Sequence, residues 1–169
     1  ARVVHLAGLE WLRRHGAAPP PRAGTGRWPI ESLGPDTVVG FHGLEAHGGR
    51  RFRWTEPVAL LRLAPPDGEH ELRVETGGLR GSAPDAVLAV VVGGRALPRA
   101  LVSGDGDGAL RVRLPPRWSA AAREGIVIVC SPLAPARAGA ADPRPLGLPV
   151  LSLALVPASV PAAAPAITV

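Results

Sequence analysis

The sequence predicts an all-β fold, an antiparallel β-sandwich of jelly-roll type, with an immunoglobulin-like sandwich as the simpler variant. Three observations lead there. Twenty Pro and 21 Gly in 169 residues cut the chain into short pieces and argue against long helices. Short alternating or wholly apolar runs follow one another between Gly/Pro turns, with no helical pattern between them. Aromatic residues make up only 4%, so Val, Leu, Ile and Ala must fill the core, each buried Val or Leu contributing roughly 1.5–3 kcal/mol. A chain of this length holds one domain with a sizeable core.

Residues 1–16, ARVVHLAGLEWLRRHG, predict an N-terminal helix over Val3–His15. Val3, Leu6, Ala7 and Leu9 share a face, with Val4 and Trp11 at its margins. Arg13, Arg14 and His15 suit the negative end of a helix dipole, and Gly16 is a stop. The segment reads as a packing helix at the end of a preceding region, with a membrane-surface helix as the sharper alternative. Residues 17–29 read as a Pro/Gly-rich linker. The β-sandwich occupies 30–157, the domain proper starting near Trp28 or Ile30, and 158–169 form a loose tail. Strands are expected at Thr37–His42, Arg51–Thr55, Val58–Leu63, Glu71–Glu75 and Val87–Val92. After a Gly93-Gly94 turn they continue at Arg95–Leu101, broken near Pro98, then at Leu110–Leu114, Ile126–Cys130 and Val150–Val156. The unbroken apolar runs Val87–Val92 and Ile126–Cys130 predict the most buried strands.

Net charge is +5 and the pI about 11.3, which raises the question of a nucleic-acid partner. All basic residues are Arg, and Lys, Asn, Gln, Tyr and Met are absent. That bias fits a GC-rich genome, and the arginines form no patterned stripe, so no nucleic-acid partner is expected. The single Cys130 lies in the apolar run GIVIVC and reads as a buried thiol. The chain opens in mid-pattern without Met and reads as part of a longer protein. It carries no signal-peptide pattern. Its most apolar run, Leu146–Val156, is too short for a bilayer span and is interrupted by Pro149.

Chemical variety concentrates in Thr37–Thr55, TVVGFHGLEAHGGRRFRWT, which holds both Phe residues, Trp54, His42, His47 and Glu45. The order of signals is GFHGLE, a Gly-rich gap, FRWTEP, VVVGGRAL, ALRVRLPP and ADPRPLGLPVLSLAL. It resembles β-sandwich accessory domains attached to bacterial glycosyltransferases and other surface-polysaccharide proteins. The matching positions are Gly40, Phe41 and Glu45; Phe52, Trp54 and Thr55; and Asp142, Arg144, Leu146 and Gly147. The resemblance covers roughly Ile30 to Pro157. Gly93-Gly94-Arg95 stands where an Asn-Gly turn is expected, a change the turn geometry tolerates. The resemblance implies a non-catalytic, glycan-associated module of a larger bacterial protein. Its place would be the bacterial cytoplasm, or the membrane through the parent protein, and its partners a glycan and neighbouring domains of the same chain.

Candidate ligand-binding residues are Trp54, Trp118, Glu45, Arg144 and His42. Phe52 and Trp54 alternate with Arg51 and Arg53, so their rings share one face of a strand. They either stack on a sugar or fill the core, and the core reading is the stronger. Trp118, after PPR, is expected in a loop, as an exposed ring or a lid over one end of the fold. Glu45 and Arg144 form either a structural ion pair or a pair of hydroxyl-recognising groups, with Asp142 holding the turn. Gly104–Gly108, with Asp105 and Asp107, reads as an exposed hairpin turn because it lacks the further carboxylates of a calcium loop. His42 and His47 match no zinc spacing. No GxSxG elbow, P-loop or dinucleotide fingerprint occurs, and no cofactor or metal is expected. The best reading is a carbohydrate-binding or glycan-enzyme-associated module. The alternatives are a structural or protein-interaction sandwich and, least favoured, a small jelly-roll hydrolase.

Overall fold

A computed structural model describes residues 22–78, 83–105, 108–133 and 144–158, with backbone alone for Arg22 and Pro84. The predicted N-terminal helix and all but the first residue of the predicted tail lie outside the described residues. The elements are β1 (Arg22–Ala23), β2 (Gly26–Pro29), β3 (Val38–His47), β4 (Arg50–Leu61), β5 (Leu63–Ala64) and β6 (His70–Glu75). They continue with α1 (Ala83–Ala86), β7 (Val87–Val92), β8 (Arg95–Ala96), β9 (Val102–Gly104) and β10 (Leu110–Leu114), then α2 (Pro116–Ala122), β11 (Ile126–Cys130), β12 (Pro149–Val150) and β13 (Ser152–Pro157).

The fold is mostly antiparallel β in two sheets. One runs β2-β13-β6-β10-β9; the other runs β12-β4-β11-β7-β8, with β3 also paired to β4. The chain passes repeatedly between them, so alternating apolar residues of both sheets meet in one core. Leu72, Val74, Leu110 and Leu153 enter it from the five-stranded sheet, and Val90 and Ile126 from the six-stranded sheet. All of these are at most 1% exposed. Ile126–Cys130 is buried along its whole length, as its unbroken apolar run predicts. Val87–Val92 is less uniform, because Leu88 is 59% exposed beside the register shift that follows Val129.

Several sequence expectations change in form. The runs Arg51–Thr55 and Val58–Leu63 are one long strand, β4, whose edges serve three partners. β3 follows one edge, while β11 takes residues 58–61 and β12 residues 53–54 on the other. Glu56-Pro57 falls between those two ladders, where a missing N–H does no harm. The segment read as a linker contributes β2, which pairs antiparallel with β13, and Trp28 of β2 packs on the core. Pro in this stretch is compatible with strand because β2 is at a sheet edge. Before it, β1 pairs in parallel with β5. Arg95–Leu101 shortens to β8 followed by a 3-10 turn at Arg99–Leu101, the strand ending just before Pro98. The Gly93-Gly94 turn forms as expected, with φ of 53° and 72°.

The loop expected around Trp118 is instead helix α2. Pro116 occupies the first turn, where its fixed φ suits a helix and its missing N–H is no loss, and Ala120–Ala122 propagate it. Ser119 clasps this helix to the sheet. It is fully buried, its hydroxyl donates to the Leu114 carbonyl at 3.0 Å, and it lies 3.3 Å from His70 Nδ1. This pattern is satisfied when Nδ1 carries the hydrogen. Both residues are buried, His70 being 4% exposed, so the contact joins α2, β6 and β10 and offers no nucleophile to solvent.

Candidate functional site

Two places on the molecule gather the predicted residues. The first is the β3–β4 ribbon. Residues paired across an antiparallel ladder point to the same side. Val150, 1% exposed in the main core, pairs with Arg53, and Phe41, which packs on that core, pairs with Thr55. Arg53 and Thr55 therefore sit on the core side of β4. Phe52 and Trp54 alternate with them and face outward, together with Glu45, the ladder partner of Phe52. The two rings meet edge to face, centroids 6.1 Å apart at 86°, a favoured geometry for aromatic pairs. Phe52 is buried, Trp54 is half-buried, and neither belongs to an apolar cluster among the described residues.

Arg144 reaches this same ribbon. Its Nη2 donates to Glu45 Oε1 at 2.9 Å, across 99 residues of sequence. The side chains of Glu45 and Arg144 are 35% and 38% exposed, so the pair contributes at most about 1 kcal/mol to stability. Beside it, His42 Nε2 lies 3.4 Å from the Pro145 carbonyl oxygen. Trp54, Glu45, Arg144 and His42 thus belong to one region. Asp142 lies outside the described residues.

The backbone that delivers Arg144 is held by close packing. Thr55 N–H donates to the Leu148 carbonyl, Gly147 N–H to the Thr55 carbonyl, and Leu148 N–H to Thr55 Oγ1. A Cβ at Gly147 would collide with Thr55 Oγ1 and stand 2.5 Å from the Glu56 carbonyl oxygen, so only glycine fits. On β3, Gly40 has φ of 75° and would bring a Cβ to 2.6 Å from the Val58 carbonyl oxygen. It lies where the β3–β4 register shifts between Val39 and Phe41, which sets the outward residues of β3 against Phe52 and Trp54.

The second place is an open cleft of about 480 Å³ beside α2, lined by Trp118, Arg117, Ala121, Glu124, Gly93 and Arg95, among others. Trp118 is half-buried against the core, and the Arg117 guanidinium lies 5.8 Å from its ring centroid. The indole Nε1 is buried without a hydrogen-bond partner among the described residues. Trp118 therefore acts as part of the fold on one side and as cleft wall on the other. The wall combines an aromatic ring, guanidinium groups and a carboxylate. Sequence reasoning named Trp118 but missed Arg95, Arg117 and Glu124, which converge only because α2 packs over the β7–β8 turn.

Other candidates resolve into structural roles. Asp105 accepts the Ala109 N–H at 3.0 Å and the Arg111 guanidinium at 2.9 and 3.1 Å. The arginines of LRVRL face carboxylates: Arg111 faces Asp105 and Glu71, and Arg113 faces Glu69. Among the described residues, no group of three or more His, Cys, Asp or Glu gathers as a metal site. No helix among them is long and apolar enough to cross a membrane. Compared with known proteins, the chain matches no protein-family model and no curated protein.

Proposed function

We propose that this chain is a non-catalytic β-sandwich module, jelly-roll-like in its finer fold, that binds carbohydrate on the outward face of the β3–β4 ribbon. The observation that carries this reading is the meeting of Trp54, Glu45 and Arg144 on one side of the ribbon, from segments 99 residues apart. A sugar offers C–H faces that stack on an aromatic ring and hydroxyls that bond to carboxylate and guanidinium. Each hydroxyl must first shed water, so such binding is weak and depends on the ring. Within a larger bacterial protein, the module would hold a glycan near a linked glycan-building enzyme, as the family resemblance implies.

The test is binding to a bacterial polysaccharide array and titration with the best oligosaccharide. Trp54→Ala should abolish binding with the β circular-dichroism spectrum unchanged, while Glu45→Gln should weaken it about tenfold, the loss of one charge-assisted hydrogen bond. Retention of binding in Trp54→Ala and its loss in Trp118→Ala would move the site to the α2 cleft and overturn the ribbon assignment. Absence of any binding at millimolar sugar would leave the second reading, an interaction module, whose support is the exposed Leu88.

A further inference from the structure

The cleft beside α2 carries charged groups that the fold itself does not use. Arg95 and Arg117 line it and are exposed, and among the described residues neither has a carboxylate partner. Elsewhere Arg27, Arg73, Arg111, Arg113, Arg123 and Arg144 are each paired with an acid. Glu124, on the same cleft, is likewise exposed and forms no salt bridge among the described residues. Two guanidiniums against one carboxylate leave the lining with a net positive charge. Between these groups the wall is apolar, made of the Trp118 ring, Val92, Ala96 and Ala121. Close packing fixes its floor. Gly93 has φ of 53°, and a Cβ there would stand 2.9 Å from the Ala121 Cβ, so α2 rests directly on the β7–β8 turn. The volume of about 480 Å³ is in the range of small-molecule sites.

We propose that this cleft binds a small aromatic hydroxycarboxylate, separately from any sugar held on the ribbon. The net charge of the lining is matched by a single carboxylate, which guanidinium groups grip through paired, charge-assisted hydrogen bonds. A phosphate monoester carries nearly twice that charge and matches it less well. The Trp118 ring offers an arene an offset or edge-to-face partner. The Arg117 guanidinium, 5.8 Å from that ring's centroid, is at the outer reach of a cation–π contact, so turning toward an anion costs it little. Arg117, Ala121 and Glu124 follow at i, i+4 and i+7, along one side of α2 and the turn that ends it. Arg117 and Glu124 are thus about 10 Å apart along the helix axis, which puts the anion at one end of the ligand and a hydrogen-bond donor at the other. A phenol hydroxyl supplies that donor to Glu124. A sugar acid brings several hydroxyls instead, and against Val92, Ala96 and Ala121 each would shed water without gaining a partner.

The experiment titrates the whole chain calorimetrically with 4-hydroxybenzoate, benzoate, 4-hydroxybenzamide and glucuronate. 4-Hydroxybenzoate should bind at millimolar concentration or below. Arg95→Ala plus Arg117→Ala should weaken it at least about tenfold, the loss of one charge-assisted hydrogen bond or more. Both side chains are exposed, and an unchanged β circular-dichroism spectrum checks that the variant folds. Should it not, 4-hydroxybenzamide makes the same test on the unaltered protein, because it keeps the shape and lacks the charge; it should bind at least about tenfold more weakly. Glu124→Ala should erase the advantage of 4-hydroxybenzoate over benzoate. Absence of 4-hydroxybenzoate binding at millimolar concentration would overturn the proposal, as would binding indifferent to Arg95→Ala plus Arg117→Ala. Glucuronate binding as tight as 4-hydroxybenzoate would overturn the choice of an arene. Loss of 4-hydroxybenzoate binding in Trp54→Ala would place it on the ribbon and overturn the cleft. Sugar binding at the ribbon enters none of these outcomes, so the two sites stand or fall separately.

Discussion

Thr55 joins two strands through its hydroxyl, which accepts the Leu148 N–H at 2.8 Å in a site 1% exposed. Thr55→Val keeps the shape and removes the acceptor, leaving a buried N–H unpaired. The expected loss is about 1–3 kcal/mol, read as a lowered urea midpoint, with Thr55→Ser retaining most of the stability. Gly147→Ala should cost about 3 kcal/mol, the upper end of overpacking, because the atoms it meets include the Glu56 backbone. Added calcium should leave the melting temperature unchanged, because Asp105 already binds Arg111 and the Ala109 N–H; a calcium-dependent rise lost in Asp105→Ala would refute this. At this scale the sequence was partly legible. The sequence associates Glu45 with Arg144, as an ion pair or as two hydroxyl-recognising groups, and alternation alone sets Phe52 and Trp54 on one face. Which face that was depended on Val150, a partner far along the chain whose pairing no local pattern reveals. The His70–Ser119 contact was invisible for the same reason.

Helix α2 is where element-level reading failed, and the cause is length. Seven residues give too few turns for an apolar period to stand out, and a Pro-Pro start reads as a loop unless the second Pro is seen as a helix beginning. Strands were more legible because two residues complete their period: β10 and β11 fall where alternation and apolar runs put them, whereas β3 runs on past Gly43 to His47 and β4 runs on through Pro57, residues that suggest breaks. The clasp between α2 and the sheet can be tested directly. Ser119→Ala leaves His70 Nδ1 and the Leu114 carbonyl without their hydroxyl partner, and should destabilise the domain by about 1–3 kcal/mol. Because α2 forms one wall of the 480 Å³ cleft, the same substitution should raise the quenching of Trp118 fluorescence by acrylamide. An unchanged quenching profile together with full stability would show that packing by Ala122 and Trp118 alone seats the helix.

Across the whole molecule the two outward sheet surfaces differ in kind. The five-stranded sheet turns out Glu71, Arg73, Glu75 and Arg111, paired across strands or along them with one another, with Arg27 and with Asp105. These pairs are partly exposed and each contributes at most about 1 kcal/mol, so 1 M NaCl should move the melting temperature by only a few degrees. The six-stranded sheet turns out Val and Leu. A thermal melt followed by far-ultraviolet circular dichroism should display a β spectrum lost in one cooperative step, because both sheets share one core; a spectrum dominated by helix would contradict the fold. A different consequence follows from the pairing of β2 with β13. Gly26 stands opposite Leu155 in an antiparallel ladder, so the chain comes into this sheet and leaves it at the same end. Tension applied through the two ends of the domain would load those hydrogen bonds one after another, as a zipper is opened, rather than all at once in shear. The domain should therefore yield at low force in a single-molecule pull, peeling β2 and β13 before the core gives way.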